Sequence, residues 1–162
     1  MQLASNVVIE RPPEVVWAFL GDPANVAKWD RGVASVVEKD SVPRGVGFEF
    51  DTIATDDLNL PDKGRMSYRI SEVNPHAGRC VVQLTSRTGN ARFFENAEWK
   101  FDSQPEGNGT KLTCTATFTL RPQYLFLAPL LYLKRNAILF DLSLLKSAIE
   151  EKASSKCRKA DG

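Results

Sequence analysis

The chain has 162 residues, of which 43% are hydrophobic and 25% charged, a composition typical of one soluble globular domain with a substantial core. Its net charge of +1 gives no electrostatic reason to expect a nucleic-acid partner. The longest apolar run, residues 124–133, is too short to span a bilayer, and the N-terminal residues lack the pattern of a signal peptide. We therefore expect a single domain over residues 1–162.

The N-terminal elements are a short strand and two short helices. The strand is predicted to end at residues 7–9, where Pro12 and Pro13 favour the first turn of a helix. This helix covers residues 14–20, and a second helical turn follows at residues 25–29. Together they predict a V-shaped brace directly after the first strand.

Alternating apolar and polar residues then predict roughly six further strands, separated by turn residues. Hairpin-length connections favour an antiparallel meander, and the polar residues 55–63 are predicted to form a loop. The predicted strands cover residues 33–39, 46–54, 65–73, 79–86, 92–101 and 110–120.

A long amphipathic helix is predicted over residues 129–155. Its apolar positions recur at three- and four-residue steps, which defines one helical stripe. At 1.5 Å per residue the helix would be about 40 Å long, enough to cross the sheet. The stripe comprises Leu131, Ile138, Leu142, Leu145 and Ile149.

This order of elements resembles the START-like, birch-pollen-allergen-like helix-grip superfamily, and within it the polyketide cyclase/dehydrase and lipid-transport branch. The matching stretches are residues 8–20, 22–29, 45–47, 109–110 and 142–150, which together span nearly the whole chain. The resemblance implies an α+β helix-grip fold of about seven strands in the order β-α-α-β6-α. A curved antiparallel sheet would wrap around a long C-terminal helix and leave an internal cavity. The family's members share a cavity rather than a fixed catalytic set, so the resemblance implies no catalytic residues.

The leading hypothesis is a carrier or sensor that binds a hydrophobic small molecule, such as a lipid, polyketide or isoprenoid. Burial of apolar ligand surface in a preformed pocket would drive the binding. The side chains expected to contact the ligand are Phe48, Phe50, Met66, Tyr68, Val82, Trp99, Tyr124, Leu131 and Arg135.

Glu95 is the candidate catalytic residue of an alternative hypothesis, a cyclase or dehydratase acting on a polyketide-like substrate. Strand alternation places Glu95 between Phe93 and Ala97 on the inward face, where a carboxyl group could act as general acid or base. A register slip, a bulge near Gly89 and Asn90, or pairing with an arginine such as Arg87 or Arg135 would instead leave Glu95 with a structural role.

Other reactive side chains give little support for catalysis. His76 is the only histidine and falls in a predicted turn, so no clustered His and Cys residues suggest a metal site. No glycine-rich phosphate loop is present, and we expect no cofactor. Cys80 and Cys114 are expected in the core, and the odd number of cysteines favours reduced thiols in a cytoplasmic protein.

The apolar segment 124–133 leaves several interpretations open. It could fold over the sheet as core, cap the cavity, form a homodimer, or contact a membrane transiently. The third hypothesis is an interaction module that uses this segment, either as a homodimer or on a membrane protein.

Overall fold

One antiparallel sheet forms most of the computed structural model, which describes residues 1–39, 44–55, 64–87, 89–133 and 135–158. In this part of the chain the sheet has seven strands in the order β1-β7-β6-β5-β4-β3-β2. The first strand therefore pairs with the last, and the remaining neighbours follow chain order. The strands are β1 (Gln2–Ile9), β2 (Val33–Glu38), β3 (Glu49–Ala54), β4 (Met66–Asn74), β5 (Arg79–Leu84), β6 (Phe94–Glu106) and β7 (Gly109–Leu120).

The helices follow the predicted order. Helix α1 (Pro13–Leu20) and the 3₁₀ helix Pro23–Lys28 form the brace between β1 and β2. The predicted helix over residues 129–155 corresponds to α2 (Ala128–Leu133) and α3 (Arg135–Arg158), and Lys134 between them lies outside the described residues. Two further 3₁₀ helices cover Gly89–Phe93 and Pro122–Leu127. The helix-grip fold and its β-α-α-β6-α order are confirmed.

The core joins α3 to the β1 side of the sheet. Leu142, Leu145 and Ile149 of the predicted stripe are at most 1% exposed. They pack in one cluster with Ile9 of β1 and Leu112 of β7. The apolar stripe therefore fixes α3 through its second half, where three buried side chains lie on successive turns.

Hydrogen bonds tie the helices to the ends of the sheet. The side chain of Glu150 on α3 accepts from the main-chain N–H of Glu10 at 2.8 Å, and Arg11 donates to the Glu150 carbonyl at 3.0 Å. The indole N–H of Trp17 on α1 donates to Ser103 Oγ of β6 at 2.8 Å. These bonds hold α1 and the end of α3 at a fixed position on the sheet.

Asp51 forms a buried charge site on β3, on the opposite face of the strand from Phe50. Its carboxylate lies 2.7 Å from Lys39 Nζ and 3.4 Å from Arg65 Nη1, and Lys39 also donates to Ser67 Oγ at 2.8 Å. Burial alone would raise the pKa of Asp51, but the hydrogen bonds from Lys39 and Ser67 and the charges of Lys39 and Arg65 outweigh it and lower the pKa.

We expect Asp51→Asn to lower the free energy of unfolding by about 1–3 kcal/mol at pH 7. A carboxyl group with a lowered pKa in the folded state stabilises the protein above its unfolded pKa of about 3.9, and this contribution is lost as the pH falls through the folded pKa. The difference between the variant and the wild type should therefore shrink below roughly pH 4. Urea denaturation at pH 7 and at a pH below about 4 measures this difference in unfolding free energy.

Asp102→Asn is the matched control for Asp51→Asn. The carboxylate of Asp102 also contacts two cations, Arg79 at 2.7 Å and Lys100 at 3.0 Å, but its side chain is 23% exposed, against 3% for Asp51. Solvent screening should limit its loss to about 0–1 kcal/mol. Equal losses for the two variants would contradict the importance of burial at Asp51.

Candidate functional site

A row of aromatic side chains crosses the inner face of the sheet. Tyr68 of β4 packs on Phe50 of β3 with ring centroids 5.8 Å apart, and on Trp99 of β6 at 5.2 Å. Trp99 in turn contacts Phe118 of β7 at 5.4 Å. The Tyr68–Trp99 and Trp99–Phe118 contacts are edge-to-face, with interplanar angles of 85°, a favourable arrangement for aromatic pairs. These contacts form a continuous aromatic surface on the inner face of the sheet.

The larger of two adjoining cavities lies between this sheet and the brace. It has a volume of about 170 Å³, and we call it the outer lobe. Its charged lining residues are Asp22, Arg44 and Arg79, of which Arg44 is exposed. The rest of its lining is almost entirely apolar and includes Trp17, Leu20, Trp29, Ile70, Cys80 and Phe101.

The smaller cavity, the inner lobe, has a volume of about 80 Å³ and lies against the aromatic row. Asp30, Thr52, Tyr68 and Trp99 line this lobe and not the outer one. The two lobes share the side chains that lie between them, which are Val26, Trp29, Phe50, Val82 and Phe101. The inner lobe therefore differs from the outer lobe in having polar side chains beside the apolar wall that they share.

Trp29 lines both lobes because the brace ends at this residue. The main-chain N–H groups of Trp29 and Asp30 both donate to the Val26 carbonyl, at 3.2 and 2.9 Å. The indole ring then lies edge-on to Phe101, with centroids 6.2 Å apart. The end of the 3₁₀ helix thus directs one aromatic side chain and one carboxyl group toward the sheet.

Asp30 places a carboxyl group in the inner lobe. Its Oδ1 accepts a hydrogen bond of 2.8 Å from the Gly32 N–H, an arrangement that fixes the turn into β2. Burial raises the pKa of Asp30, although the Gly32 hydrogen bond and the charge of Arg31 oppose the shift.

Asp141 of α3 is a second carboxyl group near Asp30. Its Oδ1 lies 3.6 Å from Arg31 Nε, and the Arg31 guanidinium also stacks on Phe140, 4.0 Å from the ring centroid. Burial and then the negative charge of Asp30 raise the pKa of Asp141, while Arg31 opposes the shift. Arg31 contacts Asp141 and Phe140 of α3 and does not line the inner lobe. The described residues that line this lobe therefore include the carboxyl group of Asp30 but no cation.

Tyr68 supplies the hydroxyl group of the inner lobe. Burial, followed by the charge of Asp30, raises the pKa of Tyr68 well above its ordinary value, so the phenol stays protonated and can donate. Its hydroxyl makes a long contact of 3.7 Å with the Met66 Sδ, a weak acceptor. Burial also raises the pKa of the Cys80 thiol to about 11 and that of Cys114 to about 12, which makes both thiols poor nucleophiles.

The structure brings four of the predicted ligand-contacting residues into the cavity walls. Phe50 and Val82 line both lobes, while Tyr68 and Trp99 line the inner lobe. Phe48 and Met66 belong to the same apolar cluster, but neither is a wall residue of the two lobes. Their contact with a ligand stays a prediction.

The remaining predicted ligand-contacting residues lie elsewhere. Tyr124 packs on Phe93 with ring centroids 5.0 Å apart, and Leu131 is half-buried on α2. Neither lines the two lobes. The side chain of Arg135 lies outside the described part of the structure.

The prediction that Glu95 faces inward is wrong. The β6–β7 register shifts between Phe94, which pairs with Leu120, and Asn96, which pairs with Thr119. This bulge interrupts the alternation, so Glu95 is exposed and Phe94 contacts Phe118 with centroids 5.6 Å apart. Arg87 donates to the main-chain carbonyl of Glu95 at 3.0 Å. The carboxyl group of Glu95 therefore lies outside both lobes.

Two further features concern exposed residues. His76 is exposed in the turn between β4 and β5, as predicted, where Asn74 Oδ1 accepts from the Ala77 N–H at 3.0 Å.

No described helix has both the length and the apolar character needed to cross a membrane. Much of the segment from Leu125 to Phe140 is nonetheless apolar and exposed, with side chains 46% to 77% accessible at Leu125, Phe126, Leu130, Tyr132, Leu133, Leu139 and Phe140.

Sequence reasoning missed Asp30 and the brace residues of the outer lobe. The only available signal at Asp30 was the Asp30-Arg31-Gly32 sequence, which indicates a turn and not a cavity. The brace residues are apolar, and their sequence pattern predicts only that they are buried in the core. Whether they line a cavity depends on the distance between the brace and the sheet, which local sequence patterns do not specify.

Comparisons with known proteins agree with this architecture. Residues 2–137 match the sequence model of a family described as polyketide cyclase/dehydrase and lipid transport, whereas among curated proteins none matches the chain. A similar solved structure is TTHA0849 from Thermus thermophilus, with 19% identity, a TM-score of 0.73, and coverage of 94% of this chain and 99% of that one.

Two enzymes of known structure also share the fold. The ZhuI aromatase/cyclase from Streptomyces sp. R1128 is 14% identical, with a TM-score of 0.73 and coverage of 94% of this chain and 95% of that one. A norcoclaurine synthase from Thalictrum flavum is 11% identical, with a TM-score of 0.71 and coverage of 94% and 96%. At these identities the likeness shows a common fold.

Proposed function

The chain belongs to the polyketide cyclase/dehydrase and lipid transport family, and we propose that it binds a compact, ring-bearing apolar molecule in the two lobes. The observation that carries this proposal is the apolar void between the brace and the aromatic row. Its shared wall consists of Val26, Trp29, Phe50, Val82 and Phe101. Such a wall supplies apolar contact area without the cost of opening a new cavity.

The size of the void decides between ligand classes. A cavity of about 150 Å³ holds a benzene ring in a well-studied protein, and the outer lobe has about 170 Å³. Pockets for drug-sized ligands are larger, about 300–1,000 Å³. The lobes therefore suit one small ring system, and a long-chain lipid would require the brace to move away from the sheet.

Toluene is a suitable probe of this proposal because it is apolar and consists of a single ring. The three tryptophans, Trp17, Trp29 and Trp99, all line one or both lobes, so their indole N–H resonances in ¹H–¹⁵N NMR spectra report on occupancy. We expect saturable shifts of the Trp29 and Trp99 signals as toluene is added. Unchanged tryptophan signals at millimolar toluene would refute the proposed binding.

We do not extend the proposal to cyclisation or dehydration at Glu95. An acid/base residue must lie within hydrogen-bond reach of the reacting group, and Glu95 is exposed and lines neither lobe. Binding is the function that the geometry supports best.

A second candidate function is reversible attachment to an anionic membrane surface through the exposed apolar segment. The strip consists of Leu125, Phe126, Leu130, Tyr132, Leu133, Leu139 and Phe140. Exposed apolar areas of this kind commonly mark interaction sites. The sequence from 121 to 140 also contains Arg121, Lys134 and Arg135 but no Asp or Glu, a charge pattern that complements anionic lipids.

The double substitution Phe126→Asp and Leu133→Asp is expected to reduce binding to phosphatidylserine vesicles by at least about 10-fold, because burial of each apolar side chain contributes roughly 1.5–3 kcal/mol. Both residues are more than 70% exposed, at 73% and 77%, so the fold should persist. Vesicle co-sedimentation measures the change, with Val37→Asp on β2 as control. A wild-type protein that forms dimers and does not co-sediment with the vesicles would contradict this candidate function.

A further inference from the structure

The inner lobe differs from the outer lobe in its chemistry. Asp30 and Tyr68 line it together with Thr52 and Trp99, whereas the wall that it shares with the outer lobe is apolar. A ligand that occupies both lobes would therefore contact apolar surface in the outer lobe and a carboxyl and a phenol group in the inner lobe. Neither group has an assigned role in the binding proposed above.

From this arrangement we infer that the inner lobe is a hydrogen-bonding subsite for a hydroxyl group carried by the ligand ring, with Asp30 as acceptor and Tyr68 as donor. The inference rests on the proposed binding function and names its ligand class, a compact phenol or ring alcohol. A hydroxyl group matches the subsite because it can donate to Asp30 and accept from Tyr68 at the same time.

The hydrogen bonds within the lobe leave capacity for such a ligand. Among the described residues, the Asp30 carboxylate accepts one bond, from the Gly32 N–H to Oδ1. A carboxylate has about four acceptor positions. The Tyr68 hydroxyl is hydrogen-bonded to the Thr52 side chain and donates to the Met66 thioether at 3.7 Å, a weak acceptor that a ligand oxygen would replace.

The electrostatic surroundings keep both groups suited to these roles. Arg31 is the nearest cation in the sequence, but it contacts Asp141 and Phe140 of α3 and is not a wall residue of the lobe. The phenol of Tyr68 remains a donor because burial and the charge of Asp30 raise its pKa. The charged form of Asp30 therefore has most to gain from a ligand that donates a hydrogen bond.

Asp30 also has a structural role, which the experiment must separate from ligand binding. Asp30→Asn preserves the shape of the side chain and an oxygen that can accept from Gly32, while it removes the charge. Tyr68→Phe removes the donor and leaves the ring in the aromatic row. Neither substitution removes the apolar wall shared by the two lobes.

The test compares p-cresol with toluene, which differ by one hydroxyl group, by NMR titration of the wild type and both variants. We expect the wild type to bind p-cresol more tightly than toluene, although the hydroxyl is better hydrated in water. Asp30→Asn should weaken p-cresol binding about 10-fold, the difference between a charge-assisted and a neutral hydrogen bond. Tyr68→Phe should weaken it by about 3- to 10-fold, and in either variant the loss of p-cresol affinity should exceed any loss of toluene affinity.

The outcomes separate the subsite from the binding function. If toluene binds and the wild type shows no preference for p-cresol, the subsite is refuted and the apolar binding function stands. A loss of toluene and p-cresol affinity in equal proportion in both variants would also refute it, since that indicates structural damage. If neither compound binds the wild type, the proposed function itself fails.

Discussion

Leu145→Ala is expected to lower the free energy of unfolding by about 2–5 kcal/mol, measured by urea denaturation. Leu145 is 0% exposed and packs with Ile9, Leu112, Leu142 and Ile149 where α3 meets the sheet. Removing its side chain loses apolar burial and leaves a cavity that rigid strand neighbours cannot close. The loss is a large fraction of the stability of a domain this size.

Leu139→Ala is the control for the same chemical change on the same helix. Leu139 is 54% exposed, so its truncation should change the unfolding free energy by less than about 0.5 kcal/mol. Similar losses at Leu139 and Leu145 would contradict the description of α3 as docked through one stripe. In that case the first half of the helix would have to be buried in solution.

Val82→Phe is expected to weaken toluene binding by more than about 10-fold, because the new ring would occupy the volume that a ligand needs. Val82 is half-buried on β5 and belongs to the wall that both lobes share. NMR titration with toluene, followed through the tryptophan indole signals, measures the loss. Because Val82 also packs against the buried cluster that contains Phe48 and Phe50, the larger side chain is expected to cost about 1–3 kcal/mol of stability, which thermal unfolding checks.

Val37→Phe is the matched control for Val82→Phe. Val37 lies on β2, is 45% exposed and lines neither lobe. Toluene affinity should therefore stay within about 2-fold of the wild type, since no wall of the cavity changes. Undiminished binding in Val82→Phe would place toluene outside the two lobes.

The alternating strands show how far the sequence predicts the fold. In β3, β4 and β5 the inward positions predicted for Phe50, Tyr68 and Val82 coincide with the cavity wall. The pairing is regular at these three residues, because the register shift of β4 comes after Ile70, and successive side chains of a regular strand lie on opposite faces. The resemblance of the whole chain to a known superfamily supplied the order of elements.

Strand β6 shows where local reasoning fails. An alternating pattern runs from Phe93 to Phe101, yet the bulge after Phe94 reverses the faces at its start. Bulges insert one residue without a clear signature in the local sequence. Glu95 was therefore misplaced, while Ala97, Trp99 and Phe101 kept their inward positions.

The most informative polar residue of the site, Asp30, could not be identified from its neighbours in sequence. Its turn with Gly32 is a local feature, but its position beside Tyr68 depends on how the brace meets a strand almost forty residues later. Asp30 is a polar residue that lines a cavity beside the sheet. It lies in the same lobe as Tyr68 because elements distant in the sequence pack together.

A crystal pressurised with xenon would test the interior void most directly, since xenon occupies dry apolar cavities and scatters strongly. We predict a xenon atom within the volume bounded by Trp29, Phe50 and Val82. Electron density showing those three side chains in mutual contact, with no xenon between the brace and the sheet, would contradict the presence of a ligand-sized cavity.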